Sequence, residues 1–364
     1  MILIISILLI MIFLYSVSLT WRIGCLILLL LVWSSYSLKH INPGFEWVYW
    51  LVLGVLCFVW IISLPRYLPF RRDRIRHYYL NKQNQIRRSP FHHWLLNAIL
   101  PEEELCNMGI KFSKIVAPKM GISKGLRENL KFAKANGTLK NMLKPYWKLE
   151  RNFENPMSAA YVQGLNQFLK EKHRSFYLIR PKNYNRDKTY PLVVFCHGYL
   201  GNWKLYTGVL SELENCIIIS IGTQDLSGIF LEDEVKEIHN LYIPLLRSMG
   251  YKMHHNDVTI MGLSNGRSAV GEAYKNKKYS KLFKNIVYIS TWIKETFPIP
   301  SKVLIVGGDQ DPSAVSMING YKAIRQNKGD VRMIMIKDAT HFAIATHYKE
   351  ITEFLNKELG LVRS

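Results

Sequence analysis

Acidic side chains are scarce in this chain: 27 Asp and Glu stand against 48 Lys and Arg over 364 residues, a formal net charge of +21. An excess of that size points toward anionic surroundings. Nucleic acid is not the expected partner, because the basic residues are not gathered on a recognisable binding module. Cysteine is also sparse. Cys25, Cys57, Cys106, Cys196 and Cys216 form an odd, scattered set with no paired spacing. That pattern excludes a disulfide framework and a zinc site, and it fits a reducing compartment. Internal repeats and low-complexity segments are missing, and no motif calls for a cofactor or a metal.

Charge is nearly absent from the first 64 residues. Between Ile2 and Trp33 the only formal charge is Arg22, and Trp47–Leu64 carries none. A spanning helix needs about 20 apolar residues, so Ile2–Thr20 and Trp47–Leu64 are each expected to cross a membrane. Cys25–Trp33 is a shorter third candidate. A cleavable signal peptide fits poorly, since nothing basic precedes Ile2 and the apolar stretch is too long. Trp21, Trp33, Trp47, Tyr49 and Trp50 lie at the ends of these runs, where interfacial aromatic belts form. Arg66, Arg71, Arg72, Arg74, Arg76, Lys82, Arg87 and Arg88 come after the last run, while Lys39 stands alone between Trp33 and Trp47. Such a cluster attracts anionic lipid headgroups and places the remainder of the chain on the cytoplasmic side.

Three segments are expected: a membrane anchor over 1–65, a basic helical connector over 66–173 and a catalytic domain over 174–364. In the connector, Asn155-Pro156 reads as a helix start. From Ser175 onward short apolar runs alternate with amphipathic helices. The runs are Phe176–Ile179, Leu192–Cys196, Cys216–Ile221, Val258–Met261, Ile286–Ile289, Val303–Val306 and Val331–Ile336. Their near-continuous apolarity suits strands covered on both faces. Val235, Ile238, Leu241, Tyr242, Leu245 and Met249 recur at helical spacing, and Gly250 closes that helix. The fold class is therefore α/β, a mostly parallel sheet covered by helices on both faces.

Gly262-Leu263-Ser264-Asn265-Gly266 ends the Val258 run and opens a helix reaching to about Lys277. G-x-S-x-G between a strand and a helix puts the serine on a sharp turn, with glycines where backbones must approach closely. Upstream, Leu192–Cys196 runs into His197-Gly198-Tyr199. Downstream, Val303–Val306 leads to Gly308-Asp309-Gln310-Asp311, and Val331–Ile336 leads to Asp338-Ala339-Thr340-His341.

These four motifs, in this order, resemble the α/β-hydrolase family over about Ser175 to Leu361. The resemblance implies an α/β-hydrolase fold and a Ser264–His341–Asp311 triad, in the family's chain order of nucleophile, acid and base. The family's G-x-x-D pattern favours Asp311 as the acid, with Asp309 the runner-up. An oxyanion hole would take backbone N–H groups from Asn265 and Tyr199, and His197 would order the loop. Arg267 departs from the small residue common after the second glycine, and it is a candidate for binding an acidic group on the substrate. The resemblance implies an esterase-type hydrolase of a small-molecule or lipid acyl ester or thioester, and the apolar runs with the basic cluster after them place it beside membrane lipids. Acyl transfer, peptide hydrolysis and a non-catalytic scaffold are the alternatives.

Overall fold

The computed structural model describes residues 29–31, 33–34, 36–37, 50–51, 54, 74–87, 174–198, 206–223, 228–275, 280–294 and 301–362. The expected spans Ile2–Thr20 and Trp47–Leu64 lie almost wholly outside these residues, as does most of the expected connector. Among the described residues no helix is long and apolar enough to cross a membrane.

Nine strands form one sheet in the order β2-β1-β3-β5-β4-β6-β7-β8-β9. They are β1 Ile75–Leu80, β2 Ile86–Arg87, β3 Arg174–Ile179, β4 Tyr190–Cys196, β5 Ile217–Ile221, β6 Met253–Leu263, β7 Phe283–Ile289, β8 Lys302–Gly308 and β9 Val331–Ile336. Strands β4 to β9 pair in parallel, whereas β1, β2 and β3 join antiparallel at one side. All seven apolar runs are strands. Ile217–Ile221 is buried at every position, which is why it reads as an unbroken run rather than an alternation.

Helices cover both faces. Their order is α1 Thr207–Leu210, α2 Glu232–Glu237, α3 Ile243–Ser248, α4 Arg267–Lys275, α5 Ala314–Gln326, α6 Ala343–Thr346 and α7 Tyr348–Glu358. Leu192, Val194, Ile217, Ile219, Ile260 and Ile305 point to the face packed by α2 to α5, among Val235, Leu246, Val270 and Met317. Val193, Phe195, Ile218, Met261, Val287 and Leu304 point to the other face, against Leu210, Ile344, Ile351 and Leu355. Each fully buried Ile, Val or Leu contributes about 1.5–3 kcal/mol relative to exposure, so the two-sided sheet is the main source of stability. Between α2 and α3 the chain makes a π-turn over Ile238–Tyr242, one more residue per turn than the regular spacing suggests. Gly250 ends α3 at φ +85°. Its N–H bonds Arg247 O, and Tyr251 N–H bonds Leu246 O, the paired bonds of a glycine-closed helix.

Residues 74–87 fall inside the stretch expected to be a helical connector, yet they form β1 and β2 and extend the same sheet as β3 to β9. Ile75 to Leu80 pair residue by residue with Ile179 to Arg174. Tyr79 and Leu80 are buried, and His77 stacks on Tyr177. The sheet therefore starts at Ile75, about a hundred residues before Arg174 in sequence.

Candidate active site

The parallel strands all end on one edge of the sheet, and the candidate residues gather there. Strand β6 stops at Leu263. Ser264 comes next at φ +52°, a left-handed conformation that costs a residue with a Cβ about 1–2 kcal/mol. A single turn over Ser264–Gly266 then leads into α4. Both flanking glycines are required by contact. A Cβ on Gly266 would lie 2.2 Å from Cys196 O, and one on Gly262 would lie 2.8 Å from Gly266 O.

His341 Nε2 is 3.1 Å from Ser264 Oγ, and its Nδ1 is 3.0 Å from Asp311 Oδ2. A carboxylate can only accept, so Nδ1 carries the proton and Nε2 is left to accept from the serine hydroxyl. The Asp311 side chain is fully buried, while that of His341 is 22 % exposed. Burial alone would raise the Asp311 pKa. The bonds from His341 and from Ser313 outweigh burial and hold it below the usual carboxylate value. Ser313 donates twice to Asp311 Oδ1, from its backbone N–H and its hydroxyl, both at 2.7 Å. Asp309, the alternative acid, is exposed.

The loops carrying these groups are stitched together by backbone. Asp309 N–H bonds Ile336 O at 3.0 Å, and Gln310 N–H bonds Ala339 O at 2.9 Å. Thr291, just past β7, donates its hydroxyl to Ser264 O at 2.7 Å.

His197 is completely buried. Its Nδ1 lies 2.6 Å from Gly198 O, and its Nε2 accepts the Thr223 N–H at 3.1 Å. Those two bonds fix one neutral tautomer, and burial pushes the pKa down to about 4. The ring ties the loop after β4 to the loop after β5, the ordering part expected of it. Thr223 continues the network by donating to Glu234, whose carboxylate also accepts Leu231 N–H.

Asn265 stands half-buried directly after the serine, at the start of the turn that leads into α4. Tyr199, the other expected oxyanion residue, lies outside the described residues. Arg267 opens α4 and is half-buried. Ile229, Leu231 and Trp292 come after strands β5 and β7 on this same edge and are 45 %, 64 % and 43 % exposed. Sequence reasoning passed over Ser313 and Thr291. The first had a signal, since Asp-Pro-Ser after a strand favours a turn in which the acid accepts from residues two positions on. The second had none.

A mostly parallel sheet with its serine on a strand-to-helix turn, succeeded in chain order by acid and then histidine, has the α/β-hydrolase arrangement. No family model matches the sequence, and no curated protein matches it. Solved structures of similar shape include a ferulic acid esterase from Anaeromyces mucronatus, 16% identical over 53% of this chain and 88% of that one, with a TM-score of 0.42. An arylesterase is 11% identical over 52% of this chain and 79% of that one, with a TM-score of 0.44. An acylaminoacyl peptidase from Pyrococcus horikoshii is 13% identical over 53% of this chain and 41% of that one, with a TM-score of 0.40. These are likenesses of shape over half of the chain, and they say nothing of what this protein acts on.

Proposed function

We propose that this chain is a membrane-anchored serine hydrolase that cleaves a carboxylic ester or thioester through Ser264, His341 and Asp311. The observation that carries the reading is the hydrogen-bonded series Ser264 Oγ–His341 Nε2, 3.1 Å, and His341 Nδ1–Asp311 Oδ2, 3.0 Å. In the proposed reaction Ser264 Oγ attacks the acyl carbon as its proton passes to His341 Nε2. The carbonyl oxygen becomes an oxyanion beside the N–H groups of Asn265 and Tyr199. Collapse breaks the bond to the leaving group, which takes the proton from His341. Water then adds to the acyl-enzyme by the same route in reverse, releasing the acid and restoring Ser264. Asp311, acidified by its bonds, stays ionised and stabilises the imidazolium. Neutral His197 has both ring nitrogens engaged and takes no proton.

Exposed Ile229, Leu231 and Trp292, in the segments that follow β5 and β7, suit an apolar acyl or alcohol portion. Arg267 suits an acidic group on the same substrate. The anchor rests on the apolar runs before Pro65, and the cytoplasmic placement on the basic residues after them. Full-length protein in detergent, treated with a fluorophosphonate and digested, tests the central claim. A phosphonylated Ser264 peptide is expected, and its absence from intact, folded protein overturns the proposal.

A further inference from the structure

A hydroxyl just past the neighbouring strand β7 reaches one of the two peptide groups that the proposed chemistry uses to hold the oxyanion. Thr291 is fully buried, and its Oγ1 donates to the carbonyl oxygen of Ser264 at 2.7 Å. That carbonyl belongs to the Ser264–Asn265 peptide, whose other end is the Asn265 N–H. In a trans peptide the C=O and N–H are held in one plane and point in opposite directions. Fixing the oxygen therefore fixes where the N–H points. Accepting a hydrogen bond also polarises the amide and makes its N–H a stronger donor.

The chain around Thr291 is shaped to deliver this hydroxyl. Leu263 pairs with Ile289, so β6 and β7 end side by side. Ser290 then takes φ +45° while its N–H bonds Val306 O at 2.8 Å on β8. A serine held in the left-handed region is costly, and its effect here is to turn the chain so that Thr291 meets the elbow. Ser264 and Ser290, each left-handed just past the end of one of two adjacent strands, are thus linked through the hydroxyl of Thr291.

We propose that Thr291 is a positioning residue that orients and polarises the Ser264–Asn265 peptide, so that the Asn265 N–H donates to the oxyanion. The inference rests on the hydrolase reading above. It separates Thr291 from an ordinary packing residue, because its bond acts on the peptide that meets charge only in the transition state. Loss of the hydroxyl therefore lowers kcat and leaves KM near the wild-type value. Removing an oxyanion donor outright costs about 100- to 1,000-fold in kcat, and losing only its orientation is expected to cost about 10- to 100-fold.

The test uses full-length wild type, Thr291→Val and Thr291→Ser in detergent, with p-nitrophenyl butyrate as substrate and an alkyl trifluoromethyl ketone as inhibitor. The ketone accepts Ser264 Oγ at its carbonyl carbon, the serine proton moves to His341, and the resulting oxyanion occupies the same hole. Thr291→Val should lose kcat and ketone affinity by similar factors, with KM and melting temperature little changed, and Thr291→Ser should restore both. If Thr291→Val does not fold, Thr291→Ala carries the same expectation with a smaller side chain. Unchanged ketone affinity in a hydroxyl-free variant, or no recovery with serine, overturns the positioning role while the hydrolase reading stands. A wild type that is not labelled at Ser264 by a fluorophosphonate overturns both.

Discussion

Replacing Gly266 with alanine puts a methyl group where the chain of β4 already lies. The added Cβ would sit 2.2 Å from Cys196 O and 2.6 Å from His197 O. A comfortable carbon–oxygen contact is about 3.3 Å or longer, so the shortfall is roughly 1 Å. Both oxygens are backbone atoms, Cys196 in the sheet and His197 in a loop pinned by its own ring. Neither can rotate aside, and the elbow itself must retreat by about 1 Å. Ser264 Oγ is then carried away from His341 Nε2, now 3.1 Å distant. A misplacement of that size costs about 100-fold in rate, and crowding of a packed site costs about 1–3 kcal/mol in stability. The kcat/KM of Gly266→Ala for p-nitrophenyl butyrate should fall about 100-fold, with slower fluorophosphonate labelling in proportion. Gly250→Ala is the control. That glycine is at φ +85° with nothing within 4 Å of the added methyl, so Gly250→Ala should lose about 1–2 kcal/mol of stability and no activity. If Gly266→Ala keeps kcat/KM within threefold of wild type, the close approach does not set the position of the serine.

Ser264→Ala should abolish hydrolysis and labelling while the melting temperature holds; retained labelling would put the nucleophile elsewhere. Asp311→Asn should lower kcat by about 10,000-fold through the wrong histidine tautomer, whereas Asp309→Asn should change it less than threefold, and the reverse ranking would reassign the acid. Arg267→Ala should reduce the preference for an anionic ester over a neutral one of equal chain length, and an unchanged ratio would remove Arg267 from substrate binding. His197 has a folded pKa near 4 against about 6.5 when unfolded. Its contribution to stability is thus complete above pH 6.5 and is lost as pH falls through 4, by up to ~3 kcal/mol. Urea midpoints of wild type should fall more steeply than those of His197→Gln between pH 7 and 4, and parallel curves would show that the ring is not held neutral.

The central strands were legible because burial on both faces writes itself as unbroken apolar sequence, as in Ile217–Ile221. The edge was not. Strand β1 carries Arg76 and His77 within Ile75–Leu80, so its sequence shows a juxtamembrane basic cluster rather than an apolar run, although four of its six residues are buried. Strand β6 starts at Met253, earlier than its apolar core at Val258, because His254, His255 and Asn256 are exposed. The π-turn at Ile238–Tyr242 left no trace, since one extra residue still places apolar side chains within reach of the sheet. Ser264, Asp311 and His341 could be found because each closes a recognisable strand, in an order tied to one chemistry. Thr291 could not. Its role depends on the positive φ of Ser290 and on the pairing of Leu263 with Ile289, and neither is written in the residues themselves.

Strand β1 runs antiparallel to β3, which is itself antiparallel to β5, so β1 shares the direction of the parallel strands. Arg74 therefore enters at the sheet's amino edge, where Arg180 N–H bonds its carbonyl, and Ser264 opens at the other edge. Six residues of strand, about 20 Å, separate the two. Nine residues, Pro65 to Asp73, lie between the last apolar run and that entry point, a tether of at most about 30 Å. If the run before Pro65 is held in a bilayer, as proposed above, the anchor joins the sheet at the edge opposite the one where Ser264 opens.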